Sequence, residues 1–100
     1  MAQKRRNVIW HSKARAEFAT ILAFFRERNG SNDYSRRLLQ GLRRKLEIVR
    51  VVPQMGEATG RPDERVMPHE NYMVVYRIRP NEIEILAVWD ARRDPEASPF

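Results

Sequence analysis

The stretch Tyr72–Pro95, YMVVYRIRPNEIEILAVWDARRDP, decides the fold. Tyr72–Arg79 and Glu82–Trp89 are rich in β-branched and aromatic residues and read as two strands. Pro80-Asn81 between them is a turn, so the two strands pair antiparallel. Side chains alternate along a strand. Tyr72, Val74, Tyr76 and Ile78 therefore share one face, which is assigned to the core. Met73, Val75, Arg77 and Arg79 share the other, which places Arg77 on a concave sheet surface.

Working back toward the N-terminus, Arg65–Met67 starts another strand and Pro68–Asn71 reads as a turn. His69 is then expected at a solvent-exposed hairpin tip, and His11 is expected to be exposed as well. Gln54–Asp63, with two glycines and one proline, reads as a loop. Before it lie two helical patterns. In the first, from Lys13 to about Arg28, Ala14, Phe18, Ile21, Leu22 and Phe25 recur at spacings of three and four. Ser12 is the expected N-cap, and Asn29-Gly30 the stop. In the second, capped by Ser31, Asn32 or Asp33, the stripe is Tyr34, Leu38, Leu42, Leu46 and Val49, and Pro53 closes it. The short link makes these an antiparallel helical hairpin. Asn7–Trp10 reads as a strand. The predicted order is β-α-α-β-β-β: an α+β domain with the hairpin packed on a largely antiparallel four-stranded sheet. No repeat, low-complexity segment or boundary divides residues 1–100, so one domain is expected.

Charge narrows the partners. The formal charge is +6, unevenly placed: residues 1–50 hold 13 Lys/Arg against 4 Asp/Glu, and residues 51–100 hold 6 against 9. A basic helical half favours an acidic or polyanionic partner. On the second helix Arg36, Arg43 and Arg50 are spaced by seven on one face, and Arg37 and Arg44 widen the stripe. With Arg92, these are the candidate residues for binding a nucleic acid or a partner protein. The chain has no cysteine, which excludes disulfides and thiolate metal sites. Two distant histidines do not make a metal site, and no cofactor is implied. No apolar run approaches the ~20 residues of a membrane span, and the N-terminus lacks a signal-peptide core. A cytoplasmic protein without a membrane partner is expected.

Four segments resemble the RelE/ParE superfamily of bacterial toxins. They are IWHSKARAEFATILAFF near the start, Val52–Gly56 after the second helix, Tyr72-x-Val74-Val75-Tyr76-Arg77-Ile78, and Ile85–Asp90 followed by Arg92-Arg93-Asp94-Pro95. Their order and spacing cover nearly the whole chain. The resemblance implies the toxin of a type II toxin–antitoxin module of the plasmid-stabilisation kind. Such a toxin inhibits growth and is neutralised by an antitoxin with an acidic or amphipathic segment. That segment is expected at a sheet edge and a groove beside the helical hairpin.

Superfamily members either cut mRNA on the ribosome or act on DNA gyrase. A metal-independent ribonuclease needs a base, an acid and cations on the crowded phosphate. Arg suits the last role because its fork pairs with phosphate. Carried over from the resemblance, Arg93, Arg77 and Arg65 are the catalytic candidates if this chain is a ribonuclease. The expected Arg after the first Tyr of the penultimate strand is Met73, and the chain ends at Phe100 without a titratable ring. The gyrase-directed reading is therefore preferred. A ribosome-dependent endoribonuclease, or a degenerate toxin that only binds its antitoxin, are the alternatives.

Overall fold

The structure, a computed structural model, describes residues 4–92. Its elements are β1 (Asn7–Trp10), α1 (Ser12–Asn29), α2 (Asp33–Val49), a 3-10 turn (Pro53–Met55), β2 (Glu57–Ala58), β3 (Glu64–His69), β4 (Tyr72–Ile78) and β5 (Glu82–Asp90). The sheet runs in the order β1-β5-β4-β3-β2. β1 is parallel to β5, and the other pairs are antiparallel. The α+β architecture is as expected, with five strands rather than four.

The helices are held by burial more than by caps. Neither makes a side-chain cap bond at its start, an interaction worth about 1 kcal/mol. Instead Leu38, Leu42, Leu46 and Val49 of α2 are buried against Tyr72, Val74, Tyr76, Ile83 and Ile85 of the sheet. Each such apolar side chain contributes about 1.5–3 kcal/mol. From α1, Ala14 and Phe18 are buried, while Ile21, Leu22 and Phe25 pack on this core and stay partly open. Gly30 ends α1 at φ 66°, its N–H returning to Arg26 O at 3.1 Å, which is the left-handed stop that glycine accepts readily.

The cap of α1 is displaced from Ser12 to His11. The β1–β5 ladder runs on through His11, whose N–H bonds Ile85 O at 3.0 Å. The change from extended to helical backbone therefore falls at His11, and Ser12 is already helical. The His11 side chain is not simply solvated. Its Nε2 lies 2.8 Å from Glu84 Oε2, and Arg79 Nε donates to Glu84 Oε1 at 2.7 Å. β1 reaches only as far as Ile85, so no strand of the described residues lies on that edge of β5 beyond it. There Glu17 of α1 supplies Oε1 to the N–H of Val88 at 3.0 Å.

The segment Gln54–Asp63 is more ordered than a loop. Tyr76, fully buried, donates its hydroxyl to Pro53 O at 2.6 Å and receives the Gly56 N–H at 3.0 Å. These bonds hold the 3-10 turn against the sheet and lead into β2, which pairs Glu57 and Ala58 with Val66 and Arg65. A Cβ on Gly56 would meet that hydroxyl at 2.7 Å. The burial that the hydroxyl requires raises the pKa of Tyr76 above its usual value.

The turn after β3 is also shorter than expected. β3 continues through Pro68 and His69, paired with Met73 and Tyr72, and only Glu70-Asn71 turn. Proline is tolerated there because β2 stops opposite Val66, and no strand of the described residues lies on that side to want its N–H. His69 is therefore not exposed: it retains 3% of its surface. Its Nε2 donates to Leu38 O at 2.9 Å, and its Nδ1 has no hydrogen-bond partner among the described residues. Gly41 leaves room for the ring, since a Cβ there would lie 2.9 Å from His69 Cε1.

Two outcomes follow from this packing. Gly41→Ala drives a methyl group into the imidazole and is expected to cost about 1–3 kcal/mol in urea unfolding. Combined with His69→Ala, its added cost should largely vanish. The second concerns Glu84, whose pKa is lowered by hydrogen bonds from His11 and then Arg79. Its folded pKa lies below its unfolded one, so its contribution is present above the ordinary value of 4.5 and is lost as pH falls through the folded value. Glu84→Gln should cost about 1 kcal/mol or less at neutral pH. The gap to the unsubstituted protein should close in acid, as read from unfolding midpoints across pH.

Candidate functional site

Two surfaces carry the chemistry: the sheet face away from the helices, and the groove between the helices. The first is set by the pairing of β4 with β5. Val75 stands opposite Ala87, yet Tyr76 stands opposite Ile85, so Leu86 is an extra residue on β5. Ile83 and Ile85 before it and Val88 after it all reach the helix side. The far face is left with Val66, Val75 and Ala87, flanked by Met73 and Leu86.

Arg77 lies on this far face but is bracketed. In register it stands between Glu64 on β3 and Glu84 on β5, and opposite charges across adjacent strands attract. Glu64 is buried, accepts the Thr59 hydroxyl at 2.7 Å and lies 3.8 Å from Arg61. Glu84 is itself held by His11 and Arg79. Both carboxylates thus find their close partners elsewhere, and Arg77 stands between them by register alone. Met73, at the position where the resemblance implies an arginine, packs with the apolar cluster.

Arg65 turns to the opposite face, since its register partner is the buried Tyr76. Its guanidinium donates to Gly56 O at 2.7 Å and Gln54 O at 3.2 Å, bracing the 3-10 turn. Arg93 lies outside the described residues. Arg65 and Arg77 are therefore not brought together. Arg92 forks onto Asp90, with Nε and Nη2 each 3.1 Å from a carboxylate oxygen, and stands 5.9 Å over the Tyr72 ring. Hydrogen bonding to Asp90 raises its pKa further. Among the described residues no group of three His, Asp or Glu side chains could hold a metal ion.

The helix groove divides the arginine stripe. Arg36, Arg43 and Arg50 line three adjoining recesses of about 330, 300 and 380 Å³. Leu39 joins the first recess to the second, and Trp10, Arg43 and Leu46 join the second to the third. Arg37 and Arg44 are exposed but line none of the three. The opposite wall adds Arg15 and Arg26 from α1, which the sequence reading missed. They are eleven residues apart, three helical turns, and that spacing was the available signal. The floor is apolar, with Phe18, Leu39, Leu42 and Leu46. Arg50 is partly committed: it forks onto Glu47 at 2.8 and 2.9 Å and donates Nε to Arg6 O at 2.8 Å. A separate recess of about 460 Å³ lies between α1 and β5, with Phe24 and Trp89 among its walls.

No helix among the described residues is long and apolar enough to cross a membrane. Among solved structures, the fold is similar to a chain of the chromosomal ParDE TA system from P. aeruginosa. The TM-score is 0.73 at 18% identity, over 89% of this chain and 99% of that one. No curated protein sequence matches significantly. The sequence model for the ParE toxin of the type II toxin–antitoxin system parDE matches residues 8–95, a span that holds every element from β1 to β5 except the first residue of β1. The chain therefore belongs to the ParE toxin family of type II toxin–antitoxin systems.

Proposed function

We propose that this toxin arrests growth by binding DNA gyrase, that it does not cut RNA, and that a cognate acidic antitoxin holds it inactive. The observation that carries the reading is the far sheet face. A ribonuclease of this superfamily would place uncompensated cations around a scissile phosphate. Here Arg77 stands in register between Glu64 and Glu84, and the patch beyond them, Val66, Val75 and Ala87, is apolar. A phosphate brought to Arg77 would sit beside Glu64 and Glu84, and like charge disfavours it there. Arg65, the second catalytic candidate, is occupied by backbone carbonyls on the other face.

Binding of a protein target asks less of the chain. It needs apolar anchors and arginines that tolerate desolvation, and the helix layer supplies both.

The direct test is purified full-length toxin added to gyrase, ATP and relaxed plasmid. The expected result is loss of supercoiling that scales with toxin and is reversed by prior addition of the antitoxin. Undiminished supercoiling at a large molar excess of toxin overturns the gyrase reading.

A further inference from the structure

Helix α1 has two lined sides. Phe18, Leu22 and Arg26 line the groove toward α2. Ile21, Phe24 and Arg28 recur at helical spacing on another side and line the recess of about 460 Å³ between α1 and β5. That recess begins where β1 stops, since β1 reaches only as far as Ile85. Its opposite wall is the end of β5, from Val88 to Asp90. Glu17 spans the two walls. Its Oε1 accepts the Val88 N–H at 3.0 Å, and its Oε2 accepts from Lys13 Nζ at 2.9 Å.

The lining differs in kind from that of the groove. Four of the chain's nine aromatic residues are in it, Phe24, Phe25, Tyr72 and Trp89, whereas the groove holds Trp10 and Phe18. Phe24 is 52% exposed and is the one aromatic among the large apolar side chains left exposed in the described residues. A ring left half in water contributes little to folding, but it offers a flat apolar face to a ligand. Four charged side chains line the recess, and three are matched. Glu17 is held as above, and Asp90 and Arg92 fork onto each other. The fourth is Arg28. It stands 5.9 Å over the Phe24 ring and makes no ion pair among the described residues.

A planar apolar platform beside an unmatched guanidinium fits a ligand that is planar at one end and anionic at the other. Aromatic side chains stack on any base, and the guanidinium fork pairs with phosphate through two parallel bonds. The volume lies within the roughly 300–1,000 Å³ usual for small-ligand sites. Glu17 keeps acceptor lone pairs beyond its own two bonds. The Thr20 hydroxyl, which lines the recess and donates to Ala16 O at 3.0 Å, is also left as an acceptor. Both suit the N–H groups of a base edge. A neutral apolar ligand would desolvate Arg28 with no counter-charge, and a bare anion would leave the rings unused.

We propose that this recess binds an unstacked nucleotide, with its base against Phe24 and Trp89 and its phosphate on Arg28. The proposal is independent of the gyrase and antitoxin readings and stands or falls without them. A free nucleotide and an unpaired nucleotide within a strand share this chemistry.

The test titrates the free full-chain toxin, followed by amide NMR, with AMP, GMP, CMP and UMP, with the matching nucleosides, with inorganic phosphate, and with single-stranded tetranucleotides. At least one monophosphate should bind with a Kd of about 1 mM or tighter and shift the Phe24, Arg28 and Trp89 amides. Its nucleoside, and inorganic phosphate, should each bind about tenfold more weakly. Phe24→Ala and Arg28→Ala should each weaken nucleotide binding about tenfold. Both side chains are exposed, so the rest of the spectrum should stay as it is. The absence of any shift at about 10 mM nucleotide overturns the proposal. Inorganic phosphate binding as tightly as the nucleotide overturns it too, because the rings then play no part. So do shifts confined to Arg36 and Arg43 in the groove, or an affinity that survives both substitutions. A strand that binds about tenfold more tightly than its monomer identifies unpaired nucleic acid as the source, and equal or weaker binding identifies the free nucleotide.

Discussion

The pairing of β5 with its neighbours, displaced by one residue at Leu86, is the constraint on which the rest of the molecule depends. Strict alternation from Ile83 and Ile85 would send Ala87 and Trp89 toward the helices. The extra residue sends Val88 there instead, and turns Ala87 to the far face with Val75 and Val66. One strand thereby builds both the main core and a separate apolar patch behind it. The same strand anchors the helix layer through Glu84 to His11 and through Val88 to Glu17. β1 depends on β5 for its ladder bonds, and no strand of the described residues lies beyond β1 in the sheet.

Much of this was legible in the sequence, for identifiable reasons. The spacing of Leu38, Leu42, Leu46 and Val49 is a helical period, and the alternation from Tyr72 to Ile78 is a strand period. Both survive because burial along those stripes outweighs local preference. What was missed depends on contacts distant in sequence. A two-residue strand at Glu57–Ala58 has no pattern of its own, and exists because Tyr76 and Arg65 collect the preceding turn. Pro68 and His69 look like turn residues. They are strand residues because β2 ends early and because Gly41, 28 positions away, leaves space for an imidazole. Ser12 has the chemistry of a cap, but the ladder to Ile85 fixes the cap at His11. The shift at Leu86 has no signature in a run as uniformly apolar as Ile85–Trp89.

The candidate site divides in the same way. The seven-residue spacing of Arg36, Arg43 and Arg50 on one face could be read from the sequence, and the structure places all three on the groove. That Arg37 and Arg44 fall outside it, and that Arg15 and Arg26 face them across it, requires knowing where α1 lies. Arg77 was correctly assigned to the far face. Its placement between Glu64 and Glu84 needed the register of three strands. Five arginines of the N-terminal half, Arg15, Arg26, Arg36, Arg43 and Arg50, thus line the apolar trough.

The most direct measurement is made on RNA. A defined transcript is translated by purified ribosomes with an excess of the toxin, and its 5′ ends are mapped by primer extension. Full-length transcript with no new 5′ ends is the expected result, because Arg77 stands between Glu64 and Glu84 and Met73 supplies no cation. New ends that appear within translated codons, and that are lost in Arg77→Ala, would contradict it.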